Sequence, residues 1–505
     1  MAEAETQILE GNEWGLGTMI AVSVALVLVT VVVSRQLFGK KLKMPPGPKG
    51  LPIFGTLFKT RGPKTHIILR EMAKEWGPIY TLKTGMRYFV VVSSPEITLD
   101  ALVKDAQTFS GRPKLVSRLN FTGWRSVNSA MYGPYWRGIR KNLVTHVLST
   151  SKVASFLPFR EEELTTLIQR VKDQAAKNDN VVSVLSHCRY TVFSILLHVC
   201  FGKRFDEATV KELDEILKSL LVILAPQVID FLPFVRPFSS HKARCQALLA
   251  RMRNIFYPQI EEHRQLRAEG KAEGDYLDSL LTLQKEMDLV ETDILGLLGE
   301  VLTGGTDTTA NTLEWAMANL IKNPRLQQRV YEEIKAVCGS RPVSETDIEK
   351  MPYVQAVIKE TLRKHPALPF GITHAASTQG KLAGYDIPED CFVLFHVQAM
   401  QNDPTIWKNP EEFNPDRFLN NDPNFDMTGS HGVESMKFMP FGAGRRICPG
   451  MSLGLKHAHL ILSHLIQNFK WSTVNPGDEV DFSESLEFTV VMSNPLKARV
   501  TPRSN

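Results

Sequence analysis

The chain has 505 residues, 43% of them hydrophobic and 22% charged, which is ordinary globular composition and ample for a large core. Its net charge of +5 is milder than the dense basic patch that nucleic-acid binding calls for. Its six cysteines, at 188, 200, 245, 338, 391 and 448, show no CxxC and no paired spacing; this argues against a disulfide framework or a zinc cluster and reads five of them as buried thiols in a reducing compartment.

In chain order, the first element is an apolar run. No residue from Trp14 to Ser34 is charged, and Leu16 to Val33 reads LGTMIAVSVALVLVTVVV. That is about the ~20 residues a bilayer-spanning helix needs. Glu3, Glu5, Glu10 and Glu13 precede it and Arg35, Lys40, Lys41 and Lys43 follow it, so the positive-inside rule places the rest of the chain in the cytosol. A cleaved signal peptide would carry its basic residues in front of the run, and here the order is reversed. No later segment reads as long and apolar enough to span again. Next comes MPPGPKGLPIFG, residues 44–55, whose four prolines suit neither a helix nor a central strand and make a stiff connector.

The stretch PIYTLKTGMRYFVVVSS predicts a β-hairpin. Residues 135–365 carry apolar residues at three- and four-residue spacing and read as mostly helical, including one long helix from Thr292 to Lys322 closed by Asn323-Pro324. Short strands return between Lys381 and Phe395 and in the last 30 residues. The fold class is therefore mainly α (α+β), a large helical body with small sheets. The charged run at 261–275 reads as a solvated helix end and loop.

Chemistry concentrates in a few stretches. In FGAGRRICPG, Phe441 to Gly450, Cys448 follows an arginine pair and precedes Pro449, which suits a first helical position. A cysteine at a helix start is expected to favour thiolate, either as nucleophile or as metal ligand. Gly442-x-Gly444 lacks the third glycine of a dinucleotide loop. In LTGGTDTTANTLEW, Gly304, Gly305, Asp307, Thr308 and Thr309 weaken the middle of a long helix. A groove with a proton-delivering acid and alcohol would explain that, and so would a packing or kink site. Glu360 and Arg363 sit three apart in KETLRKHP and alone read as a surface pair. FNPDRF offers Arg417, and YWRGIRK puts Trp136 and Arg140 on one helix face.

In this order the stretches resemble the cytochrome P450 family of haem-thiolate monooxygenases. Phe441, Gly444, Arg446, Cys448 and Gly450 meet the cysteine signature, Gly304 to Thr309 the oxygen groove, and Glu360, Arg363 and Arg417 the buried network. The resemblance implies the P450 fold, with an anchor in 1–34 (lumenal side first), a basic and proline-rich hinge in 35–55 and a haem-binding monooxygenase domain in 56–505. It implies haem b with Cys448 as its axial thiolate. Trp136, Arg140, His374 and Arg446 would pair with the haem carboxylates, beside Phe441 and Gly442. Asp307 and Thr308 would deliver protons during oxygen activation. Glu360, Arg363 and Arg417 would be structural.

The resemblance further implies a single-pass protein of the endoplasmic reticulum membrane with a cytosolic catalytic domain. Its expected partners are O2, a hydrophobic small-molecule substrate, and an NADPH–cytochrome P450 reductase supplying electrons. Arg140, Lys141, Arg445 and Lys456 would offer that reductase a basic face. VNSAMYGPYWRGIRKNLV, PFGAGRRICPG and LEFTVVMSNPLKARV are similar to the plant family of in-chain fatty-acid hydroxylases and epoxidases. Phenylpropanoid or terpenoid hydroxylation is the alternative. Substrate contacts are expected from Phe121 to Trp124, Leu298 and Leu302, Ala367 to Ile372, and Thr489 to Val491. Arg118 and Arg125 are candidates to anchor a carboxylate, against a plain surface role.

Overall fold

A computed structural model describes residues 42–503, save 273, 420–426 and 429–431, together with Met19 and Ser23. Apart from those two residues, the expected anchor and the start of the hinge lie outside the described residues. Met1–Met44 and Pro45–Asn505 form two separate units, and the larger carries all that follows.

The proline-rich connector forms no regular helix or strand, as its missing amide donors dictate. It leads to α1 (Thr65–Trp76) and the hairpin β1 (Ile79–Thr84) and β2 (Arg87–Val92), paired Ile79 to Val92 around Gly85 at φ +60°. Helices follow: α2 (Val116–Thr122), α3 (Pro134–Leu143), α4 (Leu157–Lys177), then strand β3 (Val181–Ser183), α5 (Val184–Phe201), α6 (Glu207–Leu224), α7 (His241–Ala268) and α8 (Tyr276–Met287). The central helix is α9 (Glu291–Lys322), 32 residues and roughly 48 Å at ~1.5 Å per residue. Asn323 ends it, and Pro324 opens α10 (Pro324–Cys338) at the position where its missing amide costs nothing. Next comes α11 (Pro352–Lys364).

Strands β4 (His374–Ala375), β5 (Gly380–Leu382), β6 (Tyr385–Ile387) and β7 (Phe392–Phe395) precede α12 (Met451–Asn468). Strands β8 (Phe469–Ser472), β9 (Glu484–Leu486), β10 (Val490–Met492) and β11 (Lys497–Pro502) end the chain. The largest sheet has the order β1-β2-β7-β4, with β2 and β7 parallel. It sets His374 opposite Val393 at the edge of the helical body. β11 lies between β3 and β8, tying the C-terminus to the entry of α5.

Two expectations need correction. Helix α5 is long and apolar enough by composition to cross a membrane, with mean hydropathy 1.4, yet 78% of it is buried within the protein. It packs on α9, where Gly305 leaves room for Leu196: a Cβ there would stand 2.6 Å from Leu196 Cδ1. This is a core helix, which satisfies the same composition test as a span. The charged run at 261–275 is not wholly solvated. His263 and Asp275 are buried and meet at 2.7 Å, and Asp275 caps α8 by accepting the Asp278 amide at 2.9 Å.

Candidate active site

Helix α9 and the loop before α12 face each other across a cavity of about 340 Å³. Every fourth residue of α9 (Gly296, Glu300, Gly304, Thr308 and Thr312) lines it. This is one stripe of the helix. Leu298 and Leu302, expected as substrate contacts, lie off that stripe and are fully buried in the core. The helix runs unbroken through Gly304 and Gly305. Thr308 lines the cavity and its Oγ1 donates to Gly304 O at 2.8 Å.

Asp307 departs from expectation. Its side chain is buried behind the cavity wall and does not line it. One residue along a helix turns the side chain by about 100°. Asp307 Oδ1 accepts from Arg189 Nη1 in a short contact, and Arg189 Nε donates to Asp214 Oδ1 at 2.6 Å. Acid and alcohol are therefore adjacent in sequence but face different surroundings.

Cys448 lines the opposite wall. Its amide donates to Phe441 O at 2.9 Å, which closes the loop. Gly442 and Gly444 take φ of +72° and +65°, and a Cβ on Gly444 would stand 2.2 Å from Leu102 O, so the turn there requires glycine. Helix α12 begins only at Met451, with Gly450 as its cap, so Pro449 precedes the helix rather than opening it. The expectation that local surroundings alone favour a thiolate also fails. Burial pushes the Cys448 thiol up, and the Gly450 amide and Arg140 only partly oppose that. A bound metal ion would supply a positive centre that favours the thiolate.

The cations around the cavity are placed by backbone carbonyls. Arg446 donates to Ser110 O at 3.0 Å, Val127 O at 3.3 Å and Ala130 O at 2.6 Å, and lies 4.6 Å from the Trp136 ring. Trp136 Nε1 also donates to Val127 O, at 2.8 Å. Arg140 Nη2 donates to Ile447 O at 2.7 Å. A guanidinium has five N–H groups, so both arginines keep donors to spare. His374, expected to pair with a haem carboxylate, is engaged by the backbone instead. Its Nδ1 donates to Phe109 O at 2.7 Å, and burial, with Arg112 beside it, holds the ring neutral.

The sequence reading missed Arg112. It is 4% exposed, and its Nη1 donates to Ile372 O at 2.7 Å and Thr373 O at 3.1 Å, while its Nε has no partner among the described residues. Its partners stand some 260 positions away in sequence, so no local spacing signals it. Arg112, Arg118, Arg140 and Arg446 line the cavity with one carboxylate, Glu300. Glu300 is itself raised by burial and engaged by the amides of Val127 at 2.7 Å and Asn128 at 2.6 Å. Burial and mutual repulsion push Arg112 down. Among the described residues, these four arginines, two buried and two half-buried, face one carboxylate, a costly imbalance unless an anionic group joins them. A haem, with two carboxylates and an iron able to take a thiolate, fits this set of residues.

Glu360, Arg363 and Arg417 come together behind α9. Glu360 and Arg363 are fully buried, with Nε–Oε2 at 2.7 Å and Nη2–Oε1 at 2.9 Å, and Arg417 Nε lies 3.4 Å from Glu360 Oε1. The surface reading of this pair does not hold.

The comparisons agree with this geometry. The family profile described as Cytochrome P450 matches residues 45–501. Among curated relatives, "Cytochrome P450 98A1" of Sorghum bicolor is 33% identical over 96% of each chain. "Costunolide synthase" of Tanacetum parthenium is 32% identical over 92% of this chain and 93% of its own. A solved zebra fish cytochrome P450 with abiraterone superposes with a TM-score of 0.73 at 25% identity, covering 87% of this chain and 99% of that one. The chain therefore belongs to the cytochrome P450 family, monooxygenases that use haem iron and take electrons from NADPH through a reductase.

Proposed function

We propose that the chain oxidises in-chain positions of long-chain fatty acids, as a hydroxylase or epoxidase anchored in the endoplasmic reticulum membrane by its N-terminal segment. The observation that carries the reading is the cavity wall. Leu220, Leu221 and Leu224 of α6 face it together with Leu368, Phe370 and Ile372, an apolar surface suited to an acyl chain. Phe488, from the C-terminal stretch similar to the fatty-acid family, lines the same wall. The expected contacts at 489–491 turn elsewhere: Thr489 accepts from Asn311, and Val490 lies in β10. Trp124 is also engaged elsewhere, donating to Leu115 O at 2.7 Å.

Haem, when bound, supplies an iron that activates oxygen for insertion of one atom into a C–H or C=C bond. Cys448 Sγ would hold the haem iron, on the loop that Phe441, Gly442 and Gly444 shape. Arg112, Arg140 and Arg446 would hold the haem carboxylates, with the Trp136 ring against Arg446 and neutral His374 nearby. Thr308 Oγ1 holds a proton at the cavity wall. Asp307 lies behind that wall, tied through Arg189 to the partly exposed Asp214. Glu360, Arg363 and Arg417 support the fold. Of the expected reductase face, Lys141 and Arg445 are exposed, whereas Arg140 is bound to Ile447 and Lys456 is paired with Glu345. The face therefore rests on Lys141 and Arg445.

A second reading, oxidation of a plant terpenoid or phenylpropanoid, draws on the relative named costunolide synthase. The test uses microsomes holding this protein and a plant reductase, fed oleic or lauric acid with NADPH. Mid-chain alcohols or epoxides that depend on NADPH support the fatty-acid reading. No product, beside a normal reduced carbon-monoxide spectrum, favours the second.

A further inference from the structure

Two arginines in the sequence were candidates for a carboxylate anchor, and the structure separates them. Arg125 is occupied: its Nε stands 2.9 Å from both oxygens of the buried Asp293 carboxylate, and its guanidinium lies 4.4 Å from the Tyr135 ring. Arg118 is not. It projects from α2 into the cavity, and its buried Nη1 has no hydrogen-bond partner among the described residues. The two carboxylates whose charge reaches it are engaged elsewhere. Asp230 accepts the amides of Ser117 at 3.0 Å and Gln227 at 2.8 Å. Glu300 accepts those of Val127 and Asn128. A guanidinium with one buried donor unspent, beside an apolar wall, is costly unless a ligand supplies an acceptor.

We infer that Arg118 is the specificity-determining residue that binds the carboxylate of a long-chain acid and sets which carbon is oxidised. The inference rests on the fatty-acid reading above. Phe121, one turn along α2, lines the cavity beside Arg118, and Leu220 and Leu224 continue the wall for the chain. Arg118 and Thr308 line the same cavity from two different elements, so an acid held at Arg118 presents carbons further along its chain to Thr308. The site of oxidation is then counted from the carboxyl end. Acids of different length are oxidised at the same distance from C1, not at the same distance from the terminal methyl.

The test uses the haem-loaded full chain. Binding of a long-chain acid, its methyl ester and the matching primary alcohol is read from the haem absorbance change, for wild type, Arg118→Gln and Arg118→Lys. Wild type is expected to prefer the acid, Arg118→Gln to bind it roughly 10- to 100-fold more weakly with the alcohol unchanged, and Arg118→Lys to recover part of the preference. Product analysis across chain lengths should show a fixed position from C1 in wild type and a spread in Arg118→Gln. Equal affinity of wild type for acid and alcohol overturns the inference. So does an equal loss for all three ligands with lower haem content in Arg118→Gln, which would make Arg118 a holder of the haem carboxylates. In-chain products whose position ignores Arg118 keep the fatty-acid reading and discard the anchor. Acid-selective binding through Arg118 with no in-chain product keeps the anchor and discards the oxidation.

Discussion

Two clusters of arginines among the described residues are built in opposite ways. Behind α9, Arg363 meets Glu360 with two hydrogen bonds and donates further to Gln401 O at 2.9 Å and Pro410 O at 2.8 Å. Glu360 in turn accepts the Asn414 amide at 2.9 Å. In the cavity, four arginines share one carboxylate that is already engaged by two amides. A charge cluster that closes on itself can serve only the fold. One that leaves donors over is complete only when something anionic binds.

Substitutions that break one cluster should therefore act on stability, and those in the other on ligands. The largest effect is expected for Glu360→Ala, which strands Arg363 without water or counter-charge. It should cost about 3–5 kcal/mol, seen as a lower urea midpoint or as loss of soluble protein. A stable, folded variant would make the network dispensable. Arg112→Leu is the counterpart. It removes a cation repelled by Arg446 and Arg118, so the apoprotein should keep its stability while haem leaves roughly 10- to 100-fold faster, as followed by haem transfer to an acceptor globin. Destabilisation without faster haem loss would place Arg112 in the structural class.

Glu314 sharpens the comparison, because it is a buried carboxyl that accepts the Leu496 amide at 2.7 Å. Burial lifts it to about 7 from 4.5. Between those values the folded chain keeps a proton that the unfolded chain has lost, so its contribution is most favourable at low pH and declines as pH rises toward 7. Glu314→Gln should therefore gain about 1–3 kcal/mol at pH 8 and little at pH 5, by urea unfolding at both. An equal gain at both would refute the shift. The smallest effect on stability is expected at the surface. Lys141→Glu with Arg445→Glu should leave the unfolding free energy within ~0.5 kcal/mol, yet weaken reductase binding in a salt-dependent way. Unchanged reductase affinity would remove that face.

Much of this was legible in the sequence where signals are local. The hairpin at 79–92 followed from alternation around Gly85, and the long helix from its period and the Asn323-Pro324 stop. The cysteine loop, Thr308 and Arg446 reach the cavity as the motif spacing led one to expect, whereas the Trp136 indole N–H, expected on a haem carboxylate, goes to Val127 O. What failed was set by tertiary context. The resemblance pairs Asp307 with Thr308 as acid and alcohol, but helical phase turns Asp307 toward Arg189. Leu298 and Leu302 fell on the wrong side of α9 for the same reason. Glu360–Arg363 alone resembled a surface pair because nothing local reveals that the 401–417 segment covers it. Arg112 acquires its meaning only where β4 and the cysteine loop close around it.

The most direct test of the central claim is the affinity of the apoprotein for haem against haem dimethyl ester, which lacks the two free carboxylates. The surplus of cavity arginines predicts that haem binds at least ~10-fold more tightly, with the gap narrowing in Arg112→Leu. Equal affinity for the two would contradict it, and would mean that the arginines are held by their carbonyl partners alone.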